Sequence, residues 1–142
     1  MGGVEVERLL ATLQKSRNVQ KSSVKTILIC EDDQALRTLI RAVLGDEYRF
    51  VEAHDGEEAL ELALRLRPDL IILDLMLPGK SGFDVLSHLR QSIPVAKTPV
   101  IVMSAWGHAD QAALNAGADR FMPKPFEADD LTAVVSEVLA QS

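Results

Sequence analysis

The sequence predicts an α/β protein with a parallel sheet covered by helices on both faces. Five short apolar segments alternate with segments of helical periodicity, which is typical of repeated strand-helix units running in one direction. Residues 70–73 form an unbroken run of Leu and Ile, as expected of a strand that meets no water on either side. Polar side chains follow directly after several of these segments, where each strand would leave the sheet.

The first two units are predicted as follows. Residues 26–30 form a strand, and a helix over 34–44 follows it, capped by Asp33 and stopped by Gly45. Residues 49–53 alternate apolar and polar side chains, as an edge strand does.

The remaining units repeat the pattern. Asp74 ends the third strand, 70–74, and Ser104 ends the fourth, 100–104; the fifth strand is short. Helical spacing predicts helices at residues 57–66, 83–90, 110–116 and 128–139, Gly and Pro residues mark breaks between elements, and residues 120–122 form the fifth strand.

Residues 1–23 are predicted to be an amphipathic helical extension and a linker, with the main domain at 24–142. Val6, Leu9, Leu10 and Leu13 share one helical face, and residues 16–23 are polar. This apolar face has three interpretations: it docks on the following domain, it pairs with a second copy in a homodimer, or the helix is the tail of a longer helix in a larger parent chain. A frayed terminus is the alternative.

Composition narrows the class of protein. The chain has 142 residues and a net charge of −6, which suits one acidic globular domain and argues against direct DNA binding. Cys30 is the single cysteine, so no internal disulfide forms. We find neither a targeting segment nor an apolar run of the roughly 20 residues that span a membrane, and we expect a cytoplasmic protein.

Five chemically useful residues fall at or just after four strand ends. They are Glu31, Asp32, Asp74, Ser104 and Lys124. The carboxyl ends of parallel strands share one edge of the sheet, where α/β proteins bind ligands, so we expect one crevice to hold all five.

Three carboxylates in one crevice need a cation. Two like charges 4 Å apart repel by about 4 kcal/mol at an effective dielectric constant near 20. Oxygen ligands and an open coordination shell favour Mg²⁺, with Mn²⁺ as an alternative ion. An oxygen of Asp74 can then approach a phosphorus atom while Lys124 and Ser104 contact phosphoryl oxygens. In the simpler alternative, Asp74 caps the next helix, Lys124 forms a structural ion pair and Ser104 lies in a turn.

Four blocks of sequence resemble the receiver domain of bacterial two-component response regulators, including the chemotaxis receivers. The blocks are residues 27–33 (ILICEDD), 72–79 (ILDLMLPG) with Ser81 and Gly82 behind, 102–105 (VMSA) and 124–126 (KPF). The resemblance implies a flavodoxin-like sheet of order 2-1-3-4-5. It also implies that Asp74 is phosphorylated from a phosphohistidine on a sensor histidine kinase or histidine phosphotransfer protein.

The resemblance also implies roles for individual residues at the site. Glu31, Asp32, Asp74 and the backbone carbonyl of Met76 would hold the Mg²⁺ ion, and the Lys124–Pro125 peptide bond would be cis. Ser104 would move toward the phosphoryl group.

Phe121 would turn inward as Ser104 moves, and so change a partner surface made by the fourth helix, fifth strand and fifth helix. A Phe121 fixed in the core is the alternative. Met76 and Trp106 would flank the path of the attacking water, and because neither side chain orients water well, we expect slow self-dephosphorylation.

The function indicated is a phosphoacceptor switch, which catalyses only its own phosphorylation and slow dephosphorylation and is not otherwise an enzyme. A receiver-shaped scaffold that acts without phosphorylation is one alternative. A haloacid-dehalogenase-like phosphatase is another, but that family has an Asp-x-Asp pair early in the chain, and here Met76 fills the second place.

Overall fold

The structure is a computed structural model that describes residues 6–9 and 24–141. Its five strands are β1 (Thr26–Cys30), β2 (Arg49–Ala53), β3 (Leu70–Asp74), β4 (Val100–Ser104) and β5 (Arg120–Pro123). The helices that follow them are α1 (Gln34–Leu44), α2 (Gly56–Leu66), α3 (Gly82–Gln91), α4 (Asp110–Asn115) and α5 (Ala128–Ala140). Each helix and strand predicted for residues 24–142 is therefore present, with boundaries shifted by one residue at most.

All five strands are parallel, and their order is β2-β1-β3-β4-β5. This confirms the predicted α/β class and the order 2-1-3-4-5. The alternating segment β2 lies at one edge of the sheet, as its pattern indicates, and every residue of β3 in the centre is buried.

The sheet separates two hydrophobic clusters because successive side chains of a strand point to opposite faces. Alternate strand residues such as Leu28 and Leu73 pack against α2, α3 and α4 on one face. Their neighbours, such as Ile29 and Ile72, pack against α1 and α5 on the other. The domain therefore has three layers, with the sheet between two layers of helices, and the ends of the strands lie at the margin of the sheet.

Side-chain caps fix where three helices begin. Asp33 accepts hydrogen bonds from the backbone N–H groups of Ala35 and Leu36 at the start of α1, as predicted. Asp55 caps α2 and Ser81 caps α3 in the same way. Since Ser81 caps α3, Asp74 has a different role from the helix cap of the simpler alternative.

Little of the amino-terminal extension lies within the described residues. Val6 and Leu9 are helical and exposed. Leu10, Leu13 and the predicted linker, 16–23, lie outside the described residues. Within the described ranges, no helix is long and apolar enough to cross a membrane.

Candidate functional site

The strand register places the candidate residues at one edge of the sheet. Cys30 of β1 is level with Leu73 of β3, so Glu31 and Asp74, one residue further along, lie side by side. Ser104 at the end of β4 pairs with Pro123, directly before Lys124. The parallel arrangement thus gathers residues from four separate strand ends.

Lys124 joins the two buried acids of this edge. Its Nζ lies 2.5 Å from Oε1 of Glu31 and 2.7 Å from Oδ2 of Asp74. Glu31 is 1% exposed and Asp74 is 3% exposed, whereas Lys124 is half-buried. A single ammonium therefore compensates two carboxylates that would otherwise be costly to keep charged away from water. The ion pair of the simpler alternative does form, but its partners are the candidate site residues.

Backbone N–H groups fix the other oxygen of each acid. The Met76 N–H donates to Oδ1 of Asp74 at 2.9 Å, and the Asp33 N–H donates to Oε2 of Glu31 at 3.2 Å. Each of these bonds spans two residues along the chain. The loops after β1 and β3 thus hold the carboxylates in set directions.

Gly82 allows the loop after Asp74 to fold back on itself. Its N–H donates to the carbonyl of Leu75 at 3.1 Å, and a Cβ at this position would lie 2.5 Å from the carbonyl oxygen of Asp74. Any larger residue here would displace the backbone that carries the Asp74 carboxylate.

The three acids fit a divalent cation. One carboxylate oxygen each from Glu31, Asp32 and Asp74 lies within 4.8 Å of the other two. Asp32 is exposed and the other two acids are buried, so the cluster opens to solvent on one side. Hard oxygen ligands with an open side suit Mg²⁺, which keeps several waters.

Burial and crowding shift the protonation of the paired groups. The pKa of Glu31 is raised to about 7, chiefly by burial; the Lys124 hydrogen bond opposes this rise, and the hydrogen bond with Asp32 and the charge of Asp74 add to it. Burial lowers the pKa of Lys124, but its hydrogen bonds to Asp74 and Glu31 together with the negative charges of these two acids outweigh that effect, and the net pKa is raised. Lys124 therefore stays protonated and charged, whereas the Glu31 carboxyl gains or loses its proton at a pH near 7.

Ser104 is fully buried at the end of β4. Its Oγ accepts a hydrogen bond from the Trp106 N–H at 3.0 Å, and its carbonyl accepts one from the Lys124 N–H at 2.8 Å. A hydroxyl that accepts one bond still has a proton to donate. The peptide bond after Lys124 is cis, as the resemblance implies.

Two predicted dephosphorylation-tuning residues, Met76 and Trp106, follow strands of the site, and the predicted switch residue Phe121 lies on the last strand. The side chains of Met76 and Trp106 are 49% and 44% exposed. Phe121 is half-buried in the middle of β5, packs against the core cluster on the α2, α3 and α4 face, and lines surface grooves on both sides of its strand. It is neither wholly in the core nor wholly exposed.

Sequence reasoning missed Arg37, a buried arginine that reaches the backbone of the acidic pair, Glu31 and Asp32. Its guanidinium contacts the backbone carbonyl of Glu31. A signal was present, since Arg37 precedes Ile40 by three residues and Leu44 by seven, which places it on the inward stripe of α1.

Comparison with known proteins identifies close similarity over most of the chain. Residues 27–136 match the family model described as the response regulator receiver domain. The transcriptional regulatory protein CpxR of Escherichia coli K12 is 41% identical over 119 residues, which are 82% of this chain and 50% of CpxR. The chain thus spans about half the length of this curated relative.

Two solved structures show the same similarity in three dimensions. A putative response regulator from Chloroflexus aurantiacus has a TM-score of 0.78 and 34% identity, over 82% of this chain and 98% of that one. The receiver domain of a sensor histidine kinase from Pseudomonas aeruginosa PAO1 has a TM-score of 0.75 and 28% identity, over 82% and 98%. That structure contains a magnesium ion coordinated in the active site cleft.

Proposed function

The chain belongs to the response regulator receiver family, and from that premise we propose that it is a switch that accepts a phosphoryl group on Asp74. The observation that carries the proposal is the bridge from Lys124 to both Asp74 and Glu31, because it places a cation beside a buried carboxylate nucleophile. Membership of this family does not favour the dehalogenase-like phosphatase.

The proposed step is a phosphoryl transfer. An oxygen of Asp74 forms a bond to phosphorus, and the bond from phosphorus to the donor's histidine nitrogen breaks. The electron pair of that bond returns to the imidazole, which takes up a proton. The donor is a phosphohistidine on a sensor histidine kinase or a histidine phosphotransfer protein.

The residues around Asp74 stabilise the charge of the transferred group. Lys124 already touches Oδ2 of Asp74 at 2.7 Å and would donate to a phosphoryl oxygen as well. Ser104 would donate its remaining proton to another phosphoryl oxygen. Such donors are effective because the site holds them in place before the reaction.

Glu31, Asp32, Asp74 and the backbone carbonyl of Met76 would hold Mg²⁺, or Mn²⁺ in its place. When bound, the ion would neutralise negative charge shared by the carboxylates and the incoming phosphoryl group. The magnesium ion in the Pseudomonas receiver domain supports this assignment.

The output surface in this proposal is formed by α4, β5 and α5. Phe121 lies between two open grooves of about 470 and 440 Å³, one beside α4 and one beside α5. A change in its rotamer would alter both grooves, so phosphorylation would shift the affinity of this face for a downstream protein. Partners are proposed for the receiver region alone, since the matched relatives extend well beyond it.

The test is phosphate uptake from acetyl phosphate in the presence of Mg²⁺, followed by intact mass. We expect the wild type to gain the mass of one phosphoryl group, and Asp74→Asn to gain none. Asp129→Asn, an exposed acid in the first turn of α5, is the matched control and should behave as the wild type. If the wild type gains no mass, the phosphorylation-independent scaffold becomes the better description.

A further inference from the structure

Arg37 occupies an unusual position for a charged side chain. It lies in the second turn of α1 and is only 6% exposed. Arginine is rarely buried unless it is paired, so its partners indicate what it does.

One partner is the backbone of the acidic pair. NH1 of Arg37 donates to the carbonyl oxygen of Glu31 at 2.6 Å. The Glu31 N–H donates to the carbonyl of Ala53 at 3.0 Å. Glu31 is the first residue beyond β1, so these two bonds fix its peptide groups where the strand itself no longer does.

The other partner is Glu52 on the neighbouring strand β2. Nε of Arg37 donates to Oε1 of Glu52 at 2.8 Å, and Arg41, one turn later on α1, donates to Oε2 at 2.8 Å. The planar guanidinium reaches Glu31 and Glu52 at once because its donors point in fixed directions. Lysine, with one ammonium group, lacks that fork.

We infer that Arg37 is a positioning residue for the cation site, and that it sets the direction in which Glu31 and Asp32 face the ion. The inference rests on the proposed function, since it concerns the affinity of the Mg²⁺ site. Arg37 would act through the Glu31 backbone and would not contact the ion.

Charge and geometry predict opposite results when Arg37 is replaced. Arg37 is a cation near a cation site, so removing its charge would strengthen Mg²⁺ binding if electrostatic repulsion were its main effect. If Arg37 positions the acidic pair, its removal weakens binding. The direction of the change therefore separates the two explanations.

The experiment is a Mg²⁺ titration by calorimetry, with the fluorescence of Trp106, the chain's single tryptophan, as a second signal. We expect Arg37→Gln to bind Mg²⁺ about 10- to 100-fold more weakly, the usual effect of losing a group that orients ligands. Arg37→Lys keeps the charge and should recover part of the affinity. Arg41→Gln is the matched control, because it removes a positively charged partner of Glu52 and leaves the Arg37 bond to Glu31 in place. It should bind Mg²⁺ as tightly as the wild type or slightly more tightly.

A second readout distinguishes positioning from a general loss of stability. Mg²⁺ requires near-ideal octahedral geometry and Ca²⁺ tolerates a looser shell, so the Arg37 variants should lose more affinity for Mg²⁺ than for Ca²⁺. A uniform loss for both ions, with a matching loss of folded protein, would overturn the inference.

The remaining outcomes separate this inference from the proposed function. If the wild type binds Mg²⁺ and both Arg37 variants bind it equally or more tightly, the inference fails and the proposed function stands. If Arg37→Gln does not fold, Arg37→Lys decides in the same way. If the wild type itself does not bind Mg²⁺, both fail together.

Discussion

The strands begin at one side of the sheet, here called the amino edge, and end at the opposite side, the carboxyl edge. These two edges use the same charged residue types in different ways. At the amino edge, Asp69 accepts a hydrogen bond from the Thr26 N–H and Asp119 accepts one from the Val100 N–H, each at 2.8 Å. These bonds join segments 43 and 19 residues apart. The amino edge therefore uses its charges to tie distant parts of the chain together.

At the carboxyl edge, the backbone bonds of the acids reach only two residues along the chain. Of the three carboxylates gathered there, those of Glu31 and Asp74 share one ammonium, that of Lys124. The acids are held in direction but remain in excess of their counter-charge. The comparison teaches that acids bonded to backbone N–H groups of distant segments tie the sheet together, whereas acids that outnumber the ammonium they gather around are suited to bind a cation.

Arg90 is the residue whose loss should break the amino edge most severely. Its guanidinium donates to the carbonyls of Gly117 at 2.9 Å, Thr98 at 2.7 Å and Ala96 at 3.2 Å, and to Oδ2 of Asp119 at 3.0 Å. We expect Arg90→Ala to lower the free energy of unfolding by about 3 kcal/mol, because charged donors are lost from several half-buried acceptors at once. Urea unfolding measures this change.

Arg65→Ala is the matched control, since Arg65 is 64% exposed and forms only a 3.9 Å ion pair with Glu61. Its loss should change the free energy of unfolding by less than about 0.5 kcal/mol. Equal destabilisation by the two variants would contradict the structural role of the amino edge.

Mg²⁺ should stabilise the folded protein through binding at the carboxyl edge and not at the amino edge. At an ion concentration 100 times the dissociation constant, we expect the free energy of unfolding of the wild type to rise by about 2.7 kcal/mol, because the ion binds only the folded state. Asp32→Asn should lose most of this gain, whereas Arg90→Ala should keep it. A gain that persists in Asp32→Asn would place the ion elsewhere.

The pH dependence of Mg²⁺ binding should sharpen the contrast. Because the pKa of Glu31 is about 7, the ion competes with a proton below that pH, and its affinity should fall by up to about tenfold per pH unit. Glu31→Gln should bind more weakly and with a flatter pH profile. A wild-type affinity that is constant from pH 5.5 to 7 would contradict the shifted pKa.

The same group affects the stability of the metal-free protein. A carboxyl whose folded pKa is raised from 4.5 to about 7 stabilises the fold fully below pH 4.5, and loses that contribution as the pH rises through 7. Metal-free wild type should therefore lose more stability between pH 5 and 7 than Glu31→Gln does, as thermal unfolding at several pH values would show.

The smallest expected effect concerns the exposed residues that border the carboxyl edge. Neither Met76 nor Trp106 carries a side chain suited to orient an attacking water, so we expect slow loss of the phosphoryl group. Met76→Asn should speed that loss by several-fold, less than the tenfold that 1.4 kcal/mol of barrier would give. Loss from the wild type within seconds, or no acceleration in the variant, would argue against this role.

Most of the fold could be predicted from the sequence because its signals are local. The apolar run that ends at Asp74 and the cap at Asp33 each lie within a few residues of the element they define. Parallel connections then place all carboxyl ends at one edge, so the candidate residues could be grouped before any contact was known.

The bridge from Lys124 to Glu31 could not be read from the chain in the same way. It joins residues 93 positions apart, and it depends on strand register and side-chain direction. Arg37 was missed for a related reason, since a single arginine on an apolar stripe has no local pattern that reveals a backbone carbonyl as its partner.

The sequence by itself determined which elements form, in which direction the strands run and which residue types stand at their ends, because hydrophobic periodicity and turn residues act over short distances. Only the tertiary structure decided which charges meet, namely that Lys124 pairs with two buried acids and that Arg37 binds the Glu31 carbonyl. It also decided how deeply Phe121 is buried, which is about half, between two grooves. Electrostatic and packing energies depend on distances across the fold, and those distances exist only once the sheet has assembled.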